Sequence, residues 1–367
     1  MVRALPEILE HHVAQGTAPG ILVACGRPGE PLAYTSAGDV SNDAIFRIQS
    51  MTKPVLAVAT LRLVHDGRIA LDDPVDRWLP ELADREVLRT PDSPLTDTEP
   101  AHRAITVRDL LTNQSGYGMM TSESPLKQAM IENRTEAGQE PVELGAQEWL
   151  DALARLPLAF QPGTGWRYHH SFGILGILLS RIVGMPLGDH LRADLFEPLG
   201  MLDTGYTVPQ DEAHRLPAAY RHHQTRGLVQ IEPAAAGFYV APAPFDLSHA
   251  ELVSTASDYA TFARMLGADG RHDDRVILDR ALLEQLRSDQ VPASAKTDDS
   301  FFPGFWDGMG WGYGVAVETS GPHTGRYGWS GGLGTDVSVD PDGSFRLVMT
   351  QAEMGPQVMA LFREVLA

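Results

Sequence analysis

AIFRIQSMTKPVLAVATLRLVHDG, residues 44–67, changes its pattern half-way along. Ala44-Ile45-Phe46-Arg47-Ile48 is a short extended run, whereas Met51 to His65 is largely apolar and stops at Gly67, as a buried helix does. Ser50 stands at the junction. A hydroxyl there lies at a helix N-terminus, where free backbone N–H groups and the helix dipole favour developing negative charge. Lys53 follows three residues later, and residues i and i+3 are neighbours on one face of a helical turn. Surrounded by apolar residues, Lys53 is expected to lose its proton near neutral pH and to accept one from Ser50. Ser50 is the candidate nucleophile, and Lys53 its activating partner.

Working outward, residues 1–16 read as an amphipathic helix rather than a signal peptide, because Glu7 and Glu10 interrupt any apolar stretch. Gly20 to Ala24 and Pro31 to Tyr34 read as strands joined by the Gly-Arg-Pro-Gly turn at 26–29. Residues 72–235 are mostly helical in pattern, with helices beginning near Ile105 and Ser171. Ser254 to Asp258 supplies caps for a helix running to Leu266. The last sixty residues or so turn strand-like again at Gly312 to Glu318, Thr335 to Val339 and Phe345 to Thr350, before a closing helix from Gln357 to Leu366. Strands at both ends with helices between them predict an α+β fold. The terminal strands form one antiparallel sheet flanked by N- and C-terminal helices, and a helical domain is inserted between them. The expected domains are 1–71 with 236–367, and 72–235, with the active site at their interface. The segment 288–308, polar and then aromatic, suits a mobile flap at a pocket rim.

Composition narrows the function. The chain has 367 residues, of which 43% are hydrophobic and 21% charged, as in ordinary soluble domains. Lys plus Arg is 29 against 48 for Asp plus Glu, a net charge of −19, which repels phosphate backbones and anionic lipid. Neither nucleic acid nor membrane is an expected partner, and a cytoplasmic location is expected. Cys25 is the single cysteine, so no internal disulfide framework exists; it reads as a small apolar strand residue.

Two other serines compete with Ser50. Ser124 also has a lysine three residues on, Lys127, but Pro125 follows it in a polar stretch that reads as a loop. Ser330 lies in Gly328-Trp329-Ser330-Gly331-Gly332, a literal G-x-S-x-G. That elbow requires a helix after the serine and a histidine later in the chain. A strand-like run follows instead, and no histidine lies beyond His323.

Ser50-Met51-Thr52-Lys53-Pro54 and Asp72-Asp73-Pro74-Val75 are followed in order by four further matches. These are Thr106 to Thr112 with Ser115-Gly116, Pro162-Gly163 with Tyr168, Leu252 to Thr255, and Gly310-Trp311-Gly312-Tyr313-Gly314. Together they resemble the serine β-lactamase-like superfamily of class C β-lactamases, DD-peptidases and family VIII carboxylesterases, most of all the last. The resemblance implies that Ser50 is acylated, that Lys53 helps to deprotonate it, and that Tyr168 shares the proton path and protonates the leaving group. The family's third motif, Lys-Thr-Gly or a variant, falls on Trp329-Ser330-Gly331. Backbone N–H groups of Ser50 and Gly332 would form the oxyanion hole. Small residues at 331 and 332 would let substrate approach the strand.

Departures from the pattern bear on substrate. Tyr-x-Asn becomes Tyr168-His169-His170, so His170 is expected where an asparagine contacts an amide. Trp329 replaces the lysine that binds a carboxylate, and Met120 is expected to add an apolar contact. These changes point towards esters of small or medium acyl groups. Amide or peptide hydrolysis, weak β-lactamase activity and acyl transfer use the same nucleophile; a binding protein without catalysis is the reading from another class. No cofactor is expected. No metal is either, since adjacent side chains at 169 and 170 diverge and no His-Glu-x-x-His pattern exists.

Overall fold

The computed structural model describes residues 4–138, 142–241 and 250–366. Its centre is a seven-stranded antiparallel sheet built from both ends of the chain. Two strands come early, β1 (Gly20–Gly26) and β2 (Ala33–Gly38). A short pair lies outside the sheet, β3 (Ile45–Arg47) with β4 (Val253–Thr255). Five strands come late: β5 (Met309–Trp311), β6 (Ala316–Glu318), β7 (Tyr327–Gly331), β8 (Thr335–Val339) and β9 (Phe345–Met349). The order is β5-β6-β7-β8-β9-β1-β2, so β1 pairs with β9, Leu22 opposite Met349.

Both faces of β1 are covered, which is why its sequence is continuously apolar rather than alternating. Leu22 and Ala24 enter the main core, while Ile21 and Val23 meet Ile8, Leu9, Val358 and Leu361. Those last four belong to helices α1 (Leu5–Ala14) and α6 (Pro356–Leu366), which pack together behind the sheet. The opposite face carries α2 (Thr52–His65) and α5 (Ala256–Gly267), the latter capped by Thr255 Oγ1 accepting from the Asp258 N–H at 3.1 Å. Cys25 lies on β1, half-buried rather than fully enclosed.

Between the sheet strands, residues 72–235 carry α3 (Val107–Leu111), α4 (His170–Val183) and several shorter helices. Thr106 starts α3 with a reciprocal capping box to Asp109. This region also contains two hairpins that the sequence reading took as helical ground, Glu86–Leu88 with Thr98–Pro100 and Ala219–His223 with Gly227–Glu232. Both are short and lean on the body of the protein through bridges, Val87 to Leu158 and Tyr220 to Ala352; tertiary contact, not strand propensity, holds them.

The expected strand from Gly312 to Glu318 is instead a turn followed by β6. Gly314 adopts φ +72°, and a Cβ there would stand 2.8 Å from the Lys53 carbonyl oxygen. The turn thus needs glycine to lie against α2. Among the described residues, no single helix is long and apolar enough to cross a membrane.

Candidate active site

Ser50 sits in a single helical turn, Gln49–Met51, between β3 and α2. The turn is fastened on several sides. Tyr259 Oη donates to the Met51 carbonyl at 2.8 Å, the Ile48 N–H reaches the Leu252 carbonyl at 3.0 Å, and Gln49 Nε2 donates to Tyr239 Oη at 3.0 Å. Gln49 is held at φ +51°, a conformation that costs a non-glycine residue about 1 kcal/mol or more and persists only under such constraint. Lys53 is fully buried, and its Nζ donates to Ser50 Oγ at 3.1 Å. The same ammonium lies 4.4 Å from the centre of the Tyr168 ring and 5.9 Å from that of Phe172. Burial pulls its pKa down from 10.5 to about 7, with the Glu251 carboxylate opposing the shift.

Tyr168 reaches the same point from the helical region. The segment before it is braced by main-chain bonds, Arg167 N–H to the Asn113 carbonyl at 3.0 Å and Met119 N–H to the Tyr168 carbonyl at 2.9 Å. His169, at φ +95°, turns the chain sharply into α4. Strained residues therefore adjoin both Ser50 and Tyr168. The Tyr168 hydroxyl is hydrogen-bonded with Ser50 and accepts the Trp329 Nε1–H at 2.6 Å. Burial holds the phenol well above its ordinary pKa, and those two hydrogen bonds only partly offset it. One environment thus favours neutral Lys53 and protonated Tyr168, a proton acceptor and a proton donor beside one hydroxyl.

Strand β7 closes the third side. A Cβ on Gly331 would stand 2.2 Å from the Ile48 carbonyl oxygen and 2.3 Å from Thr335 Oγ1. The glycine is required because β7 packs directly on the segment leading to Ser50. Aromatic rings wall the site. Phe301 lies 4.8 Å from Tyr168, and Trp311 lies 4.7 Å from Trp329 at right angles. The aromatic half of the 288–308 segment is packed: Phe305 is buried against Trp166, and Asp299 pairs with the buried Arg167 at 2.9 Å.

Three expected binding residues lie elsewhere. His170 opens α4 with its ring turned away from Ser50, stacked on Trp149 and 2.7 Å from the Thr135 carbonyl oxygen. Met120 is buried in a separate cluster with Leu88, Leu126 and Met130; its neighbour Met119 joins the aromatic cluster of Tyr168 instead. The Ser330 hydroxyl faces away from the site and donates to Asp336 Oδ1 at 2.6 Å. Trp329 is more than an apolar wall, because its N–H holds Tyr168. Ser124 is no loop residue: it N-caps the helix Pro125–Glu132, accepting from the Lys127 N–H at 3.2 Å. Among the described residues, no group of three or more His, Cys, Asp or Glu is placed to hold a metal.

The family profile named Beta-lactamase matches residues 5–364. The chain belongs to that family. Among its relatives, Protein Rv1367c of Mycobacterium tuberculosis is 37% identical over 84% of this chain and 77% of its own length. Esterase EstB of Burkholderia gladioli is 30% identical over 86% of this chain and 79% of its own. The fold matches that of the solved structure titled EstCE1, a hydrolase with promiscuous acyltransferase activity, at a TM-score of 0.79. That match covers 98% of this chain and 96% of the other at 22% identity. A β-lactamase-like fold with an esterase among its relatives is therefore established.

Proposed function

We propose that this member of the beta-lactamase family is a serine hydrolase that cleaves carboxylic esters of small or medium acyl groups. The observation that carries the reading is fully buried Lys53, with its pKa near 7 and its Nζ 3.1 Å from Ser50 Oγ. In the first half-reaction, Ser50 Oγ bonds to the ester carbonyl carbon as neutral Lys53 takes the hydroxyl proton. The carbonyl oxygen becomes an oxyanion in reach of the Ser50 and Gly332 amides, at a helix start that favours negative charge. Collapse breaks the bond to the alcohol oxygen, which receives a proton from Tyr168; Lys53 returns its proton to the phenolate. Water then repeats the sequence on the acyl-enzyme, freeing the acid and Ser50.

Trp329 and the surrounding aromatic rings support an uncharged, apolar substrate, and the relationship to Esterase EstB supports an ester. The test is direct. The protein is incubated with p-nitrophenyl butyrate, nitrocefin and a D-alanyl peptide, and Ser50 is searched by mass spectrometry for an acyl adduct. Butyrate turnover lost in Ser50→Ala and kept in Ser124→Ala is expected. Turnover that survives Ser50→Ala would sink the proposal, and reaction with the peptide or nitrocefin alone would move it to amide or β-lactam chemistry. No adduct and no turnover would favour a binding protein.

A further inference from the structure

Strands β7 and β8 pair with Trp329 opposite Val337 and Ser330 opposite Asp336. Alternation along a strand sends neighbouring side chains to opposite faces. Trp329 accordingly faces Tyr168, whereas Ser330 and Asp336 lie on the face of Val348, which pairs with Asp336 from β9 and packs against α1 and α6. There Ser330 Oγ donates to Asp336 Oδ1 at 2.6 Å. Asp336 is 7% exposed, and its second oxygen, Oδ2, has no partner among the described residues. A half-satisfied carboxyl group in this place costs stability that an apolar strand residue would not. No step of the ester reaction uses it, and it touches nothing at the site.

What it does touch is the residue between Trp329 and Gly331-Gly332. The remaining fixings of that strand end are on the backbone or the opposite side: Thr335 Oγ1 donates to the Ile48 carbonyl at 3.1 Å, and the Met354 N–H to the Gly332 carbonyl at 2.8 Å. Ser330 to Asp336 is the side-chain tie on the rear face. We infer that Asp336 is a positioning residue which, through Ser330, fixes the end of β7 so that the Trp329 indole N–H and the Gly332 amide keep their places beside Ser50. This rests on the ester reading above.

The experiment compares Asp336→Val, Asp336→Asn, Ser330→Ala and the double variant Asp336→Val with Ser330→Ala, measuring kcat, KM and Tm with p-nitrophenyl butyrate. Asp336→Val is expected to fold with Tm unchanged or raised, since it removes the unpaired oxygen. Its kcat should fall about tenfold or more with KM changed less than about twofold, the signature of a lost transition-state interaction. Asp336→Asn still accepts from Ser330 and should keep at least half of kcat. The double variant should be no worse than Asp336→Val, because both changes cut one tie. Full kcat in Asp336→Val and Ser330→Ala, or Asp336→Asn as poor as Asp336→Val, would overturn the inference. Should Asp336→Val not fold, Ser330→Ala, which removes one hydroxyl, decides alone. Ser50→Ala separates the two levels: a dead Ser50→Ala beside an unaffected Asp336→Val refutes only the positioning role, whereas an active Ser50→Ala refutes the ester reading itself.

Discussion

Replacing Trp329 with phenylalanine separates the two roles that this side chain could have. The change keeps an aromatic ring against Trp311 and Phe305 but deletes the Nε1–H that reaches Tyr168 Oη at 2.6 Å. Between neutral groups such a bond contributes about 1 kcal/mol. In the proposed reaction Tyr168 gives its proton to the leaving alcohol, so its oxygen gains negative charge, and a charge-assisted bond is roughly twice as strong. The loss in the transition state is then about 1.5–3 kcal/mol, or roughly 10- to 150-fold in kcat/KM at 1.36 kcal/mol per decade. Most of it should appear in kcat, because the bond strengthens only as charge develops. Steady-state kinetics of Trp329→Phe, Tyr168→Phe and the double variant with p-nitrophenyl butyrate measure it. Coupling of about 1 kcal/mol or more is expected, with the double variant close to Tyr168→Phe. A variant with intact kcat and a raised KM, or effects that simply add, would show that the indole is only a wall and refute the reasoning.

Other perturbations test the rest of the site. With Lys53 near pKa 7 and active when neutral, kcat/KM should rise through about pH 7 and level off above it; activity that falls across this range would contradict the base assignment. The folded pKa lies below the unfolded 10.5, so the unfolded chain binds the extra proton between about 7 and 10.5 and stability from this group rises with pH there. Lys53→Met should therefore be inactive yet more stable, by at most about 5 kcal/mol at pH 7 and by less towards pH 10, as denaturant titrations at both pH values will show. Gly331→Ala forces a methyl group towards the Ile48 carbonyl and Thr335, and a loss of about 1–3 kcal/mol or more in stability is expected along with activity. His170→Phe should lower Tm through its lost bond to Thr135 while leaving kcat of the folded protein within about twofold; a collapse of kcat at unchanged Tm would return His170 to the site.

The residues legible in the sequence were those whose role follows from neighbours along the chain. Ser50 and Lys53 share a helical turn, and the apolar run after them announces α2. Phe345 to Met349 and Thr335 to Val339 carry their own strand pattern, with a Pro-Asp-Gly turn between them. Illegible were the facts set by which way a side chain points after the fold closes. Met119 and Met120 are equally apolar, yet only the first joins Tyr168. Ser330 and Trp329 are neighbours in sequence and occupy opposite faces. The two hairpins in the central region escaped notice because bridges to distant segments stabilise them. The aromatic density of residues 301–306 was visible, but not that it would press on Tyr168 itself.

The pairing of Leu22 with Met349 has a consequence for how the protein is made. A ribosome adding about 5–20 residues per second finishes β1 and then spends on the order of tens of seconds on the chain before β9 exists to receive it. For that interval α1 can already cover Ile21 and Val23, but the β1 edge that β9 will occupy stays unpaired and the Leu22–Ala24 face stays bare, a state prone to sticking to its own kind. A lower growth temperature or a holding chaperone should therefore raise the soluble yield. A nascent chain arrested before β7 lacks one side of the candidate site altogether, because Trp329 and the Gly332 amide have not yet been synthesised.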